Sequence, residues 1–267
     1  YFNENLFNVT RNKAIQIETA RRIIREKLIS PYYQPKVDLT TLKVIGFEAL
    51  LRWKSPETQA LFTPETITEA FDDFELSSKI SAEMQNRIFA DIKKWQSLGK
   101  KIIPIAINAS PVEFLRDNYA ETLLQRMQTA DISPNYIEVE ITEHFFSDRG
   151  VEYVIRALKK LQEAGIKISL DDFGTGHSSL THLRDLPVNN IKIDYSFIEK
   201  ITEEKTIAAI VEGIVKLGPL LNMNVIAEGI ENEKQLKILT KMGCSQGQGF
   251  LFKDAITANE VESILEN

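Results

Sequence analysis

Cysteine is almost absent from this chain, with Cys244 the only one in 267 residues. One thiol excludes an internal disulfide framework and fits a reducing compartment. Cys244 reads as a small buried apolar residue. Histidine is nearly as scarce. His144, His177 and His182 have no cysteine near them and no glutamate in zincin spacing, so no zinc pattern is present. Positive charge is not in excess either, because 32 Lys and Arg face 38 Asp and Glu, a net −6. That balance leaves no basic coat for a phosphate backbone and disfavours DNA or RNA as a partner. No apolar run nears the ~18 to 20 residues of a membrane helix, and no signal peptide follows Tyr1. The expectation is a soluble, cytoplasmic domain cut from a longer chain, with no membrane contact of its own. Nucleotide loops are missing too. Gly174 and Gly176, like Gly247 and Gly249, neither continue as G-x-G-x-x-G nor end in G-K-[ST], and read as tight turns.

Residues 1 to 30 hold no glycine or proline, and Ile15, Ile17, Ala20, Ile23 and Ile24 recur at helical spacing between Ala14 and Leu28. This predicts a helix, either leading in from an upstream neighbour or packed on the domain as an ordinary first helix. From residue 31 the pattern alternates. Short β-branched runs fall at Tyr32–Val37, Val44–Leu50, Ile102–Ile107, Tyr136–Val139, Ile166–Leu170, Asn190–Ile193, Asn224–Ala227 and Gln248–Leu251. Helical periodicity fills Ser77–Leu98, Pro111–Ala130, Val151–Ala164, Glu203–Leu221 and Glu231–Met242. Eight strands alternating with helices over this length predict an α/β fold, a TIM-type (β/α)8 barrel rather than an open sheet. Too few residues separate Val37 from Val44 for a helical crossover, so the first strand should run antiparallel.

The informative residues end the strands. Glu48, Asn108, Glu140, the pair Asp171–Asp172, and Glu228 each close an apolar run, and Lys192 lies inside another. In a βα barrel all parallel strands deliver their last residues to one rim, where active sites are built. A single carboxylate there is unremarkable, because strand ends meet solvent. Five carboxylates from four strands at one rim repel, and a divalent cation resolves the repulsion. All-oxygen ligands select a hard ion, Mg²⁺ or Mn²⁺. The adjacent Asp171 and Asp172 suit two ions, one carboxylate bridging, which is the arrangement for in-line attack on a phosphodiester. A two-carboxylate glycosidase would have no use for the aspartate pair, Asn108 or Lys192.

The fragments Glu48-Ala49-Leu50-Leu51-Arg52, Asn108-Ala109-Ser110, Glu140-Ile141-Thr142-Glu143, Asp171-Asp172-Phe173-Gly174, Lys192-Ile193-Asp194, Ala227-Glu228-Gly229 and Gln248-Gly249-Phe250 occur in that order. Together, from about Pro31 onward, they resemble the EAL-domain family of cyclic di-GMP phosphodiesterases. The resemblance implies a barrel with an antiparallel first strand, cleavage of one phosphodiester of cyclic di-GMP to linear pGpG, and two Mg²⁺ or Mn²⁺ ions. It implies Glu48, Asn108, Glu140 and Asp171 as ligands of one ion, with Asp171 bridging and Asp172 and Glu228 serving the second. Lys192 resembles the family lysine that orients the attacking water, and Gln248 belongs to the same group. Whether Glu228 is a base or only a metal ligand stays open. Arg52 and Gln34 resemble substrate contacts. Glu143 resembles the carboxylate that holds the loop Phe173–Leu180. Residues 1–30 resemble the tail and linker helix of a GGDEF-like domain, giving a boundary at residue 31 and an upstream sensor or GGDEF-like partner. A homodimer is implied as well. The intact acid set points to hydrolysis, the alternative being a receptor that binds cyclic di-GMP without cleaving it. One departure stands out: no proline follows Gln248-Gly249, where the family usually carries one, which predicts a changed loop with the ligand kept.

Overall fold

The computed structural model describes residues 2–146, 151–174, 183, 184 and 186–266, with the side chains of residues 2–9 left aside. Helix α1 (Phe2–Arg25) is followed by strand β1 (Ile29–Asp38). The helix stops without glycine: Lys27 takes a left-handed φ of 55°, while the Leu28 N–H donates to the Ile23 carbonyl and the Lys27 N–H to the Ile24 carbonyl. Those two bonds satisfy carbonyls that the helix end would otherwise leave open. Ala20 and Ile23 have no exposed surface. Gln16 accepts from the Thr68 hydroxyl and the Glu69 N–H of the 3-10 segment Pro64–Phe71. The second half of α1 is therefore packed against the domain.

The strands β1, β2 (Val44–Lys54), β4 (Ile105–Asn108), β5 (Ile137–Thr142), β6 (Lys167–Phe173), β7 (Asn190–Ile193), β8 (Asn224–Ala227) and β9 (Gln246–Gly247) pair in a ring. The ring closes through β1, which is antiparallel to both β2 and β9. Every other pair in it is parallel. The short β3 (Leu61–Phe62) hangs outside, against the end of β2. This is the expected α/β barrel with an antiparallel first strand. Helices α2 (Phe74–Ser97), α3 (Tyr119–Thr129), α4 (Val151–Glu163), α5 (Tyr195–Lys200), α6 (Lys205–Leu220), α7 (Glu233–Met242) and α8 (Ala258–Ile264) flank it. Branched residues such as Ile105, Val139, Ile168 and Ile191 are fully or almost fully buried in the core.

Three expectations need correction. The predicted helix Pro111–Ala130 is two pieces. Ser110 and Glu113 form a reciprocal cap on a 3-10 turn, Pro111–Leu115, after which Arg116 is extended and α3 starts afresh at Tyr119. The strand predicted at Ile102 begins at Ile105, because Pro104 has no N–H to give to the ladder. The last strand is Gln246–Gly247 rather than Gln248–Leu251. There the chain leaves the ladder to bond Ile230, whose N–H donates to the Gln248 carbonyl and whose carbonyl accepts from the Leu251 N–H. Among the described residues no helix is long and apolar enough to cross a membrane.

Candidate metal centre and active site

The rim residues converge on Lys192. Its side chain has no exposed surface, and its Nζ lies 2.9 Å from Glu140 Oε2, 2.9 Å from Glu228 Oε1, 3.1 Å from Asp171 Oδ1 and 3.2 Å from Glu48 Oε2. Four strands thus aim one carboxylate each at a lysine on a fifth. Asn108 Nδ2 donates to Glu48 Oε1 at 3.0 Å. Gln248 Nε2 donates to Glu48 Oε2 at 2.7 Å and to Glu228 Oε1 at 2.8 Å. Both Gln248 neighbours are carboxylates, so only its NH₂ can face them.

Asp171 and Asp172 are consecutive, and strand alternation alone would send them to opposite faces. The β6–β7 register shifts between Leu170 and Phe173, and Asp172 adopts a left-handed φ of 53°. An aspartate tolerates that backbone better than a branched residue. The irregularity brings both carboxylates to the rim. Two sets of three acids result, Glu48–Glu140–Asp171 and Asp171–Asp172–Glu228, each with ligand oxygens within 4.8 Å of one another. Asp171 is common to both.

Burial pushes the Glu140 and Glu228 carboxyls well above the usual range. Glu48 adds to this for Glu140, and Asp171 does so for Glu228. Burial and then Asp171 bring Asp172 up to about 6. Burial works the same way on Glu48, but Lys192 and the bonds from Asn108 and Gln248 outweigh it and bring that carboxyl down to about 2. The Lys192 ammonium is pushed well up, since its four carboxylate neighbours outweigh the burial that opposes its charge. The cluster is therefore short of positive charge. Fully ionised, the five carboxylates against one ammonium would leave four negative charges, which two divalent ions would balance. A donor set made only of oxygens and overcharged fits hard divalent cations.

Beside Glu48, Asn108 and Asp172 lies a cavity of about 530 Å³, walled by apolar residues that include Leu50, Leu51, Phe71 and Met84. Gln34 stands opposite Glu48 in the β1–β2 register. Arg52, four residues beyond Glu48 on β2, donates from Nη1 to the Leu51 carbonyl at 2.9 Å. Its guanidinium is thus folded along its own strand rather than into the cluster. Glu143 is buried and accepts from the Gly174 N–H at 2.8 Å. Of the loop assigned to it, residues 175–180 lie outside the described residues, as do His177 and His182. Sequence reasoning missed a second polar layer beneath the rim, formed by Lys36, Glu138, Ser169 and Asn190, all buried. Each of Lys36, Glu138, Ser169 and Asn190 precedes or follows a singled-out residue (Gln34, Glu140, Asp171, Lys192) by two. Strand alternation could have found them.

The Gln248–Gly249 pair is held by geometry that only glycine allows. Gly249 has a φ of 154°, and a Cβ there would lie 2.2 Å from the Ile230 carbonyl oxygen and 2.3 Å from its nitrogen. Gly249→Ala is expected to cost about 2–4 kcal/mol and to pull Gln248 off Glu48 and Glu228. Chemical denaturation checks the first effect, and an unchanged midpoint would contradict it. After Gly249 the chain turns, with the Phe252 N–H donating to the Gly249 carbonyl at 3.1 Å. The segment without the usual proline thus leaves Gln248 in the cluster.

A closed barrel with an antiparallel first strand, gathering acids around one lysine at its strand ends, defines an α/β-barrel protein with a metal-competent rim. The chain belongs to the EAL domain family, whose profile matches residues 17–255. It is 32% identical over 261 residues to the bifunctional diguanylate cyclase/cyclic di-GMP phosphodiesterase MucR of Pseudomonas aeruginosa, covering 97% of this chain and 38% of that protein. It is 34% identical over 266 residues to an uncharacterized Synechocystis protein, sll1895, covering 99% of this chain and 38% of that one. The chain therefore spans well under half the length of these relatives. Among solved structures it resembles the MucR phosphodiesterase in complex with c-di-GMP, with a TM-score of 0.85 and 32% identity over 92% of this chain and 99% of that one.

Proposed function

We propose that this chain hydrolyses one phosphodiester bond of cyclic di-GMP to linear pGpG with two divalent ions, Mg²⁺ or Mn²⁺. The observation that carries the reading is the pair of three-carboxylate sets sharing Asp171 around Lys192. The likeness to a structure described as a phosphodiesterase–c-di-GMP complex supports the substrate class. Glu48, Asn108, Glu140 and Asp171 would hold one ion, and Asp171, Asp172 and Glu228 the other. Bound there, the ions would supply Lewis-acid activation of the phosphate and of a water nucleophile. The protein's own groups do the rest. Lys192, kept charged by its neighbours, donates to the attacking water and orients it. Gln248 fixes the facing oxygens of Glu48 and Glu228. Arg52 swings from the Leu51 carbonyl to a phosphate, for which its planar fork is suited, and Gln34 contacts the nucleotide from β1. Glu143 anchors the loop after Asp172 through Gly174.

Within residues 1–30, the start of α1 is read as the connector from an upstream sensor or GGDEF-like domain, its second half packing on the barrel, and the working unit is read as a homodimer in the cytoplasm. Incubation of the purified protein with cyclic di-GMP and Mn²⁺, with an EDTA control, tests the activity. Metal-dependent pGpG is expected. Binding of the nucleotide without product would replace the hydrolase with a receptor. Light scattering tests the dimer, and a monomer at working concentration would overturn it.

A further inference from the structure

Lys36 is a buried lysine that the mechanism above does not use. It lies on the inner face of β1, two residues beyond Gln34 and opposite Gly46. A Cβ on Gly46 would lie 3.5 Å from Lys36 Cε, and Ala106, the β4 partner of Glu138, is small and buried. Small residues here leave room for the lysine stem to cross the barrel interior. Its Nζ then meets Glu138 Oε1 at 3.0 Å and Glu140 Oε1 at 3.5 Å. Glu138 also accepts from the Ser169 hydroxyl and from Asn190 Nδ2, and Asn190 Oδ1 accepts from Asn224 Nδ2. The Lys36–Glu138 pair is electrically balanced and braced from three further strands.

Glu140 thus sits between two lysines, one at each oxygen: Lys36 beneath Oε1, and Lys192 at Oε2 on the rim side. We propose that Lys36 is a positioning residue that fixes Glu140 so that Oε2 alone is presented to the rim, making Glu140 a one-oxygen ligand of its ion. The proposal rests on the two-ion reading. Groups that orient a metal ligand commonly account for about 10- to 100-fold in metal affinity. Lys36→Met alone leaves Glu138 as an uncompensated buried acid and endangers folding. The double variant Lys36→Met/Glu138→Gln removes one charge of each sign from the same layer. Its net charge is unchanged, so the orienting effect is isolated from simple attraction or repulsion of the cation.

The experiment is calorimetric titration of the metal-free protein with Mn²⁺, on wild type, on the double variant and on Ser169→Ala. Ser169→Ala perturbs the same layer and removes no bond to the Glu140 carboxylate, since Ser169 pairs with Glu140 only through the β5–β6 backbone register and its hydroxyl donates to Glu138. Wild type and Ser169→Ala are expected to bind alike, and the double variant about 10-fold or more weaker. Its KM for nucleotide at saturating Mn²⁺ should be unchanged. A folded double variant with wild-type Mn²⁺ affinity overturns the positioning role, as does an equal loss in Ser169→Ala. A wild-type protein that binds no Mn²⁺ overturns the two-ion reading itself. The crystal structure of the Mn²⁺-loaded wild type decides independently of any variant. Oε2 on the ion with Lys36 still against Oε1 is expected, and a two-oxygen Glu140 or a displaced Lys36 contradicts the proposal.

Discussion

Asp171→Asn is expected to abolish turnover while raising the melting temperature of the metal-free protein. The two effects share one cause. Asp171 is the carboxylate common to both acid sets, so its loss weakens both ion sites together. The rate should fall by about 10³-fold or more, equivalent to about 4 kcal/mol of transition-state stabilisation. Without ions, the same carboxylate is a liability. It crowds Glu140, Asp172 and Glu228, helping to push all three carboxyls upward. Asparagine keeps the oxygen that accepts the Asp172 N–H, 3.0 Å away in the wild type, and removes one charge from an overcharged rim. Each kcal/mol of relief raises the melting temperature by about 2–4 °C in a chain of this size. Melting curves in EDTA and a product assay in Mn²⁺ check the pair. A variant that retains rate sinks the shared-ligand assignment, and a lowered melting temperature in EDTA sinks the crowding argument.

The same rim explains what the sequence made legible. Asn108, Glu140, Asp171 and Glu228 each close an apolar run, and barrel topology alone converts those ends into one site, which Glu48 joins from the middle of β2. The antiparallel first strand followed from a connection too short for a helix. Local chemistry was harder to see. The Asp171–Asp172 pair needs a register shift and a left-handed aspartate, which no periodicity encodes. The broken helix after Pro111 depends on the Ser110–Glu113 cap overriding a continuous helical pattern. The end of the last strand depends on Ile230, a partner from another connection. Lys36 was passed over for a different reason. It sits within β1, where a charged residue reads as solvent-facing, and only the small Gly46 opposite it and Ala106 beside Glu138 reveal that the barrel interior has room for it.

Lys192→Met should produce the mirror image of Asp171→Asn in the metal-free protein. The lysine is the ammonium shared by Glu48, Glu140, Asp171 and Glu228, and methionine keeps an unbranched side chain one atom shorter and without the charge. Removing one partner of a buried charge pair costs about 3–5 kcal/mol, because the remaining charges lose their compensation. The loss depends on conditions in two ways that a simple packing defect would not. Mn²⁺ supplies the missing positive charge, so the destabilisation should shrink sharply when the ion sites fill. Acid should also shrink it. Burial and Asp171 bring Asp172 up to about 6, and Glu140 and Glu228 lie well above the usual range, so lowering the pH through 6 removes part of the negative charge around the lysine, while Glu48, held at about 2, keeps its own. Folding by metal should not restore chemistry. With the water no longer oriented, turnover at saturating Mn²⁺ should stay about 10²- to 10³-fold below wild type. Denaturation in EDTA and in Mn²⁺ at about pH 5 and about pH 8, one unit or more on either side of that titration, separates the outcomes. An equal loss of stability under all four conditions would mean that Lys192 serves as packing, and wild-type turnover in Mn²⁺ would remove it from the reaction.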